Sequence, residues 1–138
     1  MTKVCIVTGA SRGMGYGIAK VLAEEEGATV YATARSKQAL DDLSASTKDS
    51  LGVIHPCVLD QADDGAVERF VLNVKAKEKQ IDLLVNSAYG GLTAMAPHFG
   101  KPFWERPVSV FDASMNIGLR SAFVMSKFVA PHMVQNKS

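Results

Sequence analysis

Apolar and polar positions follow two different periods along this chain, and the points where the period changes mark its elements. Val4-Cys5-Ile6-Val7 is a continuous apolar run too short for a helix, and it leads into Thr8-Gly9, so it predicts a buried strand. Past a turn containing Gly9, Gly13 and Gly15, apolar residues recur at helical spacing as Ile18, Val21 and Leu22. Gly27 is placed to cap that helix, and Ala28 to Ala34 predicts a second strand. A short helix is expected over Lys37–Leu43, then a polar loop over Ser44–Ser50. Leu51–Asp60 reads as a third strand, interrupted by Pro56. Asp63 or Asp64 starts a helix with Val67, Phe70, Val71 and Val74 on one face and Arg69, Lys75 and Lys79 away from it. Ile81–Asn86 is apolar almost throughout, as a strand covered on both faces should be. Leu92–Pro107 carries three prolines and no clear period, which predicts a long loop. Val108 to about Gln135 predicts one long helix, with Pro131 kinking or ending it.

Strands alternating with helices predict a parallel sheet wrapped on both faces. Proline lacks a ladder donor and belongs at a sheet edge, and in a doubly wound sheet of order 3-2-1-4 the third strand is that edge. Pro56 and the glycine turn thus agree on an α/β, Rossmann-like fold, with residues 1–138 forming one nucleotide-binding domain that stops before a fifth strand. A helix that starts at such a turn directs free N–H groups and the positive end of its dipole at the gap above the strand, where the pyrophosphate of a nucleotide is stabilised. Gly9 supplies backbone angles that a side chain resists, Gly13 allows close approach of a ligand, and Gly15 allows the helix to pack close to the strand.

Composition narrows the classes. A net charge of +1 over 138 residues leaves no basic stripe for nucleic acid. No apolar run approaches the ~18–20 residues that span a bilayer. Met1-Thr2-Lys3 leads straight into the first strand with no room for a signal peptide, so a cytoplasmic protein is expected. Cys5 and Cys57 both fall in apolar runs and are expected to be buried and reduced. His55, His98 and His132 are scattered, without metal-ligand spacing.

The second strand ends in Ala34-Arg35-Ser36-Lys37, without the carboxylate that usually holds the ribose hydroxyls of NAD. Arg35 there and Arg12 in the glycine turn could together hold a 2′-phosphate, so NADP(H) is expected ahead of NAD(H); the plain alternative is two solvated arginines.

The run Thr8-Gly9-Ala10-Ser11-Arg12-Gly13-Met14-Gly15, with Gly-x-x-x-Gly-x-Gly spacing, resembles the cofactor signature of the short-chain dehydrogenases/reductases. Tyr89, and later Phe103-Trp104-Glu105, resemble the "member 1" subgroup of animal dehydrogenase/reductase proteins. The resemblance implies cofactor contacts from Gly9, Ser11, Arg12, Gly13, Met14 and Gly15, and places Asp60 and Gln61 beside the adenine, though Asp60 could equally cap the next helix. Asn86-Ser87-Ala88-Tyr89 stands where the family usually has Asn-Asn-Ala-Gly; Asn86 and Ala88 match, and Ser87 and Tyr89 depart. Asn116 matches the family's active-site asparagine, with a plain polar helix residue as the equal alternative.

The family's catalytic serine and Tyr-x-x-x-Lys lie beyond the part matched here. Tyr16-Gly17-Ile18-Ala19-Lys20 has that spacing but falls in the cofactor helix, beside the phosphates. The resemblance therefore implies an NADP-dependent oxidoreductase acting on a small carbonyl or secondary alcohol, represented by its cofactor-binding half and inactive alone. It also implies a homo-oligomer packed through the C-terminal helix. The alternative is a short nucleotide-binding or hetero-oligomerising module without catalysis. Leu92–Pro107, with Phe99, Phe103 and Trp104, is expected either to wall an apolar substrate pocket or to pack on its own domain or a partner subunit.

Overall fold

A computed structural model describes residues 2–138. Four parallel strands, β1 (Val4–Thr8), β2 (Thr29–Ala34), β3 (Val53–Val58) and β4 (Leu83–Val85), form one sheet in the order β3-β2-β1-β4. Pro56 stands opposite Ala32 on the outer strand, where a residue without an amide proton is tolerated.

Side chains of β1 alternate between two cores even though the strand is buried throughout. Cys5 and Val7 pack with Ala19 and Ala23 of α1 (Gly13–Glu24) and Leu40 and Leu43 of α2 (Lys37–Ser46). Val4 and Ile6 pack on the other face with Val67, Val71 and Val74 of α3 (Asp64–Lys77) and with Val124, Met125 and Val129 of a later helix, α6 (Ser121–Asn136). Gly27 adopts φ 62°, and the Ala28 N–H returns to the Leu22 carbonyl at 2.9 Å, which turns the chain from α1 into β2. A pair of bonds ties the starts of β1 and β4: the Val4 N–H donates to the Asp82 carboxylate and the Asp82 N–H to the Val4 carbonyl, both at 2.8 Å.

Several boundaries differ from the sequence reading. α2 continues to Ser46 because its serines are satisfied without unwinding it: Ser46 donates to the Leu43 carbonyl at 2.8 Å, and Ser44 to the Ile54 carbonyl of β3 at 3.1 Å. Leu92–Pro107 is not a bare loop. It holds α4 (Gly91–Met95) and single 3-10 turns at Ala96–His98 and Phe103–Glu105, and Pro97, Pro102 and Pro107 sit at the starts of helical turns, where their missing N–H costs nothing.

The long final helix is interrupted, but not at Pro131, which lies inside α6. The break comes after α5 (Val108–Ser114), in the π-helical stretch Met115–Arg120, where Ile117 leaves helical angles (φ −103°, ψ 58°). β4 is shorter than predicted and is an edge strand among the described residues, so Leu83 is 38% exposed and the run is not covered on both faces. Cys57 is only half-buried, because it lies on the outer strand; Cys5 is fully buried, and both thiols are free. Among the described residues no helix is long and apolar enough to cross a membrane.

Candidate functional site

The carboxyl ends of β1 and β4 and the amino end of α1 meet at the glycine turn. Gly9 has φ 67°, and a methyl group there would lie 2.6 Å from the Ala88 Cα, so the turn after β4 rests directly on it. A Cβ on Gly15 would run into the Gly9 carbonyl oxygen. Gly13 has φ 59° with nothing within 4 Å of where its Cβ would be, so this backbone faces open space. Arg12 occupies the N-cap position of α1 but gives no side-chain capping bond, and no acid lies in the first turn. The first N–H groups of α1 are therefore available beside an open, Cβ-free stretch, which fits an anionic group such as a pyrophosphate.

Thr8 assembles the site, and sequence reading gave it no role beyond its place in the motif. Its Oγ1 accepts from the Ser87 N–H at 3.0 Å and the Ala88 N–H at 3.1 Å, joining two segments about eighty residues apart. Its signal was position alone, a hydroxyl at the last residue of the central strand. The Ala10 N–H reaches the Thr33 carbonyl at 3.0 Å, so β2 is held to the same turn. Ser11 is half-buried and Met14 exposed at the turn's rim.

Arg12 and Arg35 are both exposed, and neither pairs with a carboxylate among the described residues. Arg12 leans toward α4, with Nη2 3.5 Å from Thr93 Oγ1. Arg35 leaves the end of β2 just before Ser36, whose hydroxyl caps α2 by accepting from the Ala39 N–H at 3.3 Å. At the end of β3, Asp60 is exposed and accepts from the Ala62 N–H at 2.9 Å, whereas the cap of α3 is Asp63. Gln61 turns inward instead: it is buried and donates to Thr33 Oγ1 at 3.2 Å.

Asn86 is exposed after β4 and donates to Ser126 Oγ of α6 at 3.1 Å. Asn116 lies exposed on the π-helical stretch. That stretch is tied to α3 by a two-pronged pair, in which Arg120 donates to the Asp64 carboxylate at 2.8 and 2.6 Å. The bond to Arg120 holds the Asp64 carboxyl below the usual range. Tyr16 and Lys20 stay in α1, with the phenol 3.5 Å from Ser46 Oγ and the ammonium paired with Glu24, away from Asn116's segment in sequence and packing. A cleft of about 360 Å³ between β3 and α3, bordered by Val58, Phe70 and Lys77, is separate from the glycine turn. Burial pushes the Cys5 thiol up to about 11 and raises Cys57, so both are poor nucleophiles.

Residues 3–138 match the short chain dehydrogenase family. The chain belongs to the short-chain dehydrogenase/reductase family. Among curated members it is 40% identical over 136 residues to Dehydrogenase/reductase SDR family member 1 of Mus musculus, covering 96% of this chain and 42% of that protein. The same-named protein of Homo sapiens is 38% identical over 133 residues, again covering 96% of this chain and 42% of that protein. The chain thus spans less than half the length of these relatives.

Solved members of the family share its fold. A metagenomic short-chain oxidoreductase in complex with NADP superposes with a TM-score of 0.84 at 30% identity, covering 98% of this chain and 58% of that one. NAD+-bound xylitol dehydrogenase gives 0.83 at 29% identity, covering 97% and 49%. One neighbour carries each dinucleotide, so the shared short-chain dehydrogenase/reductase fold does not itself choose between them.

Proposed function

We propose that this chain is the cofactor-binding part of an NADP-dependent oxidoreductase that acts on a small carbonyl compound or secondary alcohol. The observation that carries the reading is the pairing of an open glycine turn at an uncapped helix start with two arginines, Arg12 and Arg35, free of carboxylate partners among the described residues. In this reading the backbone from Gly9 through Ser11, Gly13, Met14 and Gly15 holds the pyrophosphate. Arg12 and Arg35 hold the 2′-phosphate, and Asp60 and Gln61 border the adenine, Gln61 through its backbone because its amide is committed to Thr33. Asn86, Ala88 and Tyr89 line the reach toward the nicotinamide. A bound nicotinamide dinucleotide supplies or takes the hydride. Asn116 places a water in the proton path to the substrate oxygen, and the groups that protonate that oxygen belong to the part of the fold outside this match.

We therefore propose that the 138 residues alone turn over no carbonyl, that the protein works in the cytoplasm, and that it self-associates through α6, whose Phe123 and Val134 are exposed. A second reading, a non-catalytic pairing module, is favoured by the place of β4 at a sheet edge among the described residues.

Calorimetric titration of the whole protein with NADP+ and NAD+ tests the reading. NADP+ should bind more tightly, and Arg12→Ala and Arg35→Ala should each weaken NADP+ about tenfold while leaving NAD+ unchanged, since each removes a charge-assisted phosphate bond. Equal weakening of both dinucleotides would refute the 2′-phosphate assignment. Turnover of NADPH with a panel of ketones and aldehydes separates the enzyme from the pairing module.

A further inference from the structure

We propose that Tyr89 is a positioning residue, a latch that makes the turn after β4 and the distorted segment bearing Asn116 move as one unit. The inference rests on the reading of these two pieces as parts of one site. Tyr89 stands where the family usually has glycine in that turn.

The phenol lies 3.1 Å from Ser114 Oγ, at the end of α5. Ser114 spends its own proton on the Val110 carbonyl, at 2.8 Å. Its oxygen is then the acceptor and Tyr89 the donor. Three glycines keep the space this needs. A Cβ on Gly91 would collide with the Tyr89 and Ser114 hydroxyl oxygens. One on Gly118 would lie 3.3 Å from the Tyr89 ring, and one on Gly90 2.9 Å from Ile117 Cβ.

The backbone completes the contact. Ile117 is the residue that leaves helical angles, and its carbonyl accepts from the Gly90 N–H at 2.7 Å. The amide immediately after Tyr89 thus holds the very carbonyl that the break releases, next to Asn116. Thr8 grips the same turn from the other side through Ser87 and Ala88. A displacement of that turn is therefore transmitted through Tyr89 and Gly90 to Asn116, with Arg120 and Asp64 anchoring the segment's far end.

Amide hydrogen exchange of the whole protein, read peptide by peptide, tests the latch without cofactor. Tyr89→Gly should speed exchange over residues 114–120 at least about tenfold while peptides from β1 and β2 keep their rates. Tyr89→Phe, which keeps the ring and loses the hydroxyl, should raise it less than Tyr89→Gly does, by about fivefold, the worth of one typical net hydrogen bond. Unchanged exchange over 114–120 in folded Tyr89→Gly would overturn the proposal, as would a uniform rise across all peptides. Gly118→Ala, which presses a methyl on the ring, gives an independent variant and should act in the same direction.

The same measurement with NADP+ distinguishes the two readings. With NADP+ at concentrations that saturate each protein, the cofactor should protect 114–120 in the native protein and lose that effect in Tyr89→Gly. Absence of NADP+ binding to the native protein would refute the proposed function and leave the cofactor-free comparison to decide the latch; protection by NADP+ that survives in Tyr89→Gly would overturn the latch and leave the function standing.

Discussion

Two of the glycines in the turn act for different reasons, and substitution separates them. Gly15→Ala drives a methyl into the Gly9 carbonyl, a backbone atom that cannot swing aside, and should cost about 3 kcal/mol. Gly13→Ala meets open space and bears only the left-handed backbone cost of about 1–2 kcal/mol. Urea midpoints should therefore fall in the order native, Gly13→Ala, Gly15→Ala. Thr8 gives a second contrast. Thr8→Val strands two N–H groups and should cost about 2 kcal/mol, whereas Thr8→Ser keeps the oxygen and most of the stability. The glycines were legible in the sequence because their requirement is local, a strand–turn–helix written within a dozen residues. The work of Thr8 was not legible, because its partners lie about eighty residues away and a lone threonine carries no mark of them.

At the scale of elements, period and proline position revealed the sheet and its order, and they failed where a distant backbone group decides the conformation. The pattern from Val108 onward is continuous and helical, yet the helix breaks at Ile117 because the Gly90 amide captures its carbonyl. Pro131, the expected breaker, sits inside α6. The packing of α6 on α3 also brings a titration with it. His132 is buried beside Asn136, and burial, then the Lys75 charge, holds its pKa below the ordinary imidazole value. The unfolded chain therefore takes up this proton first as pH falls. The group's contribution to stability is complete above the unfolded imidazole pKa of about 6.5 and is lost as pH drops through the folded value. Urea midpoints measured between pH 7.5 and 5.5 should decline, and His132→Gln should flatten the decline.

For the molecule as a whole, apolar surface concentrates past the carboxyl end of β4: Phe103 and Trp104 are more than 70% exposed, with Phe99 and Phe111 beside them in sequence. Exposed aromatic surface of this kind marks a place where a ligand or another protein surface can pack. Sedimentation of the 138 residues alone should show association, and both Phe123→Ser in α6 and the pair Phe103→Ser with Trp104→Ser should reduce it. The parallel order β3-β2-β1-β4 has one more consequence, which concerns time. Among the four described strands β1 is made first and is flanked on both sides only late, since β2 arrives early on one side while β4 follows the end of β2 by about 50 residues. At the usual pace of the ribosome, about 5–20 residues per second, the apolar edge of β1 that awaits β4 stays bare for several seconds in every newborn copy. For that interval each copy carries an unpaired strand edge of the kind through which chains aggregate.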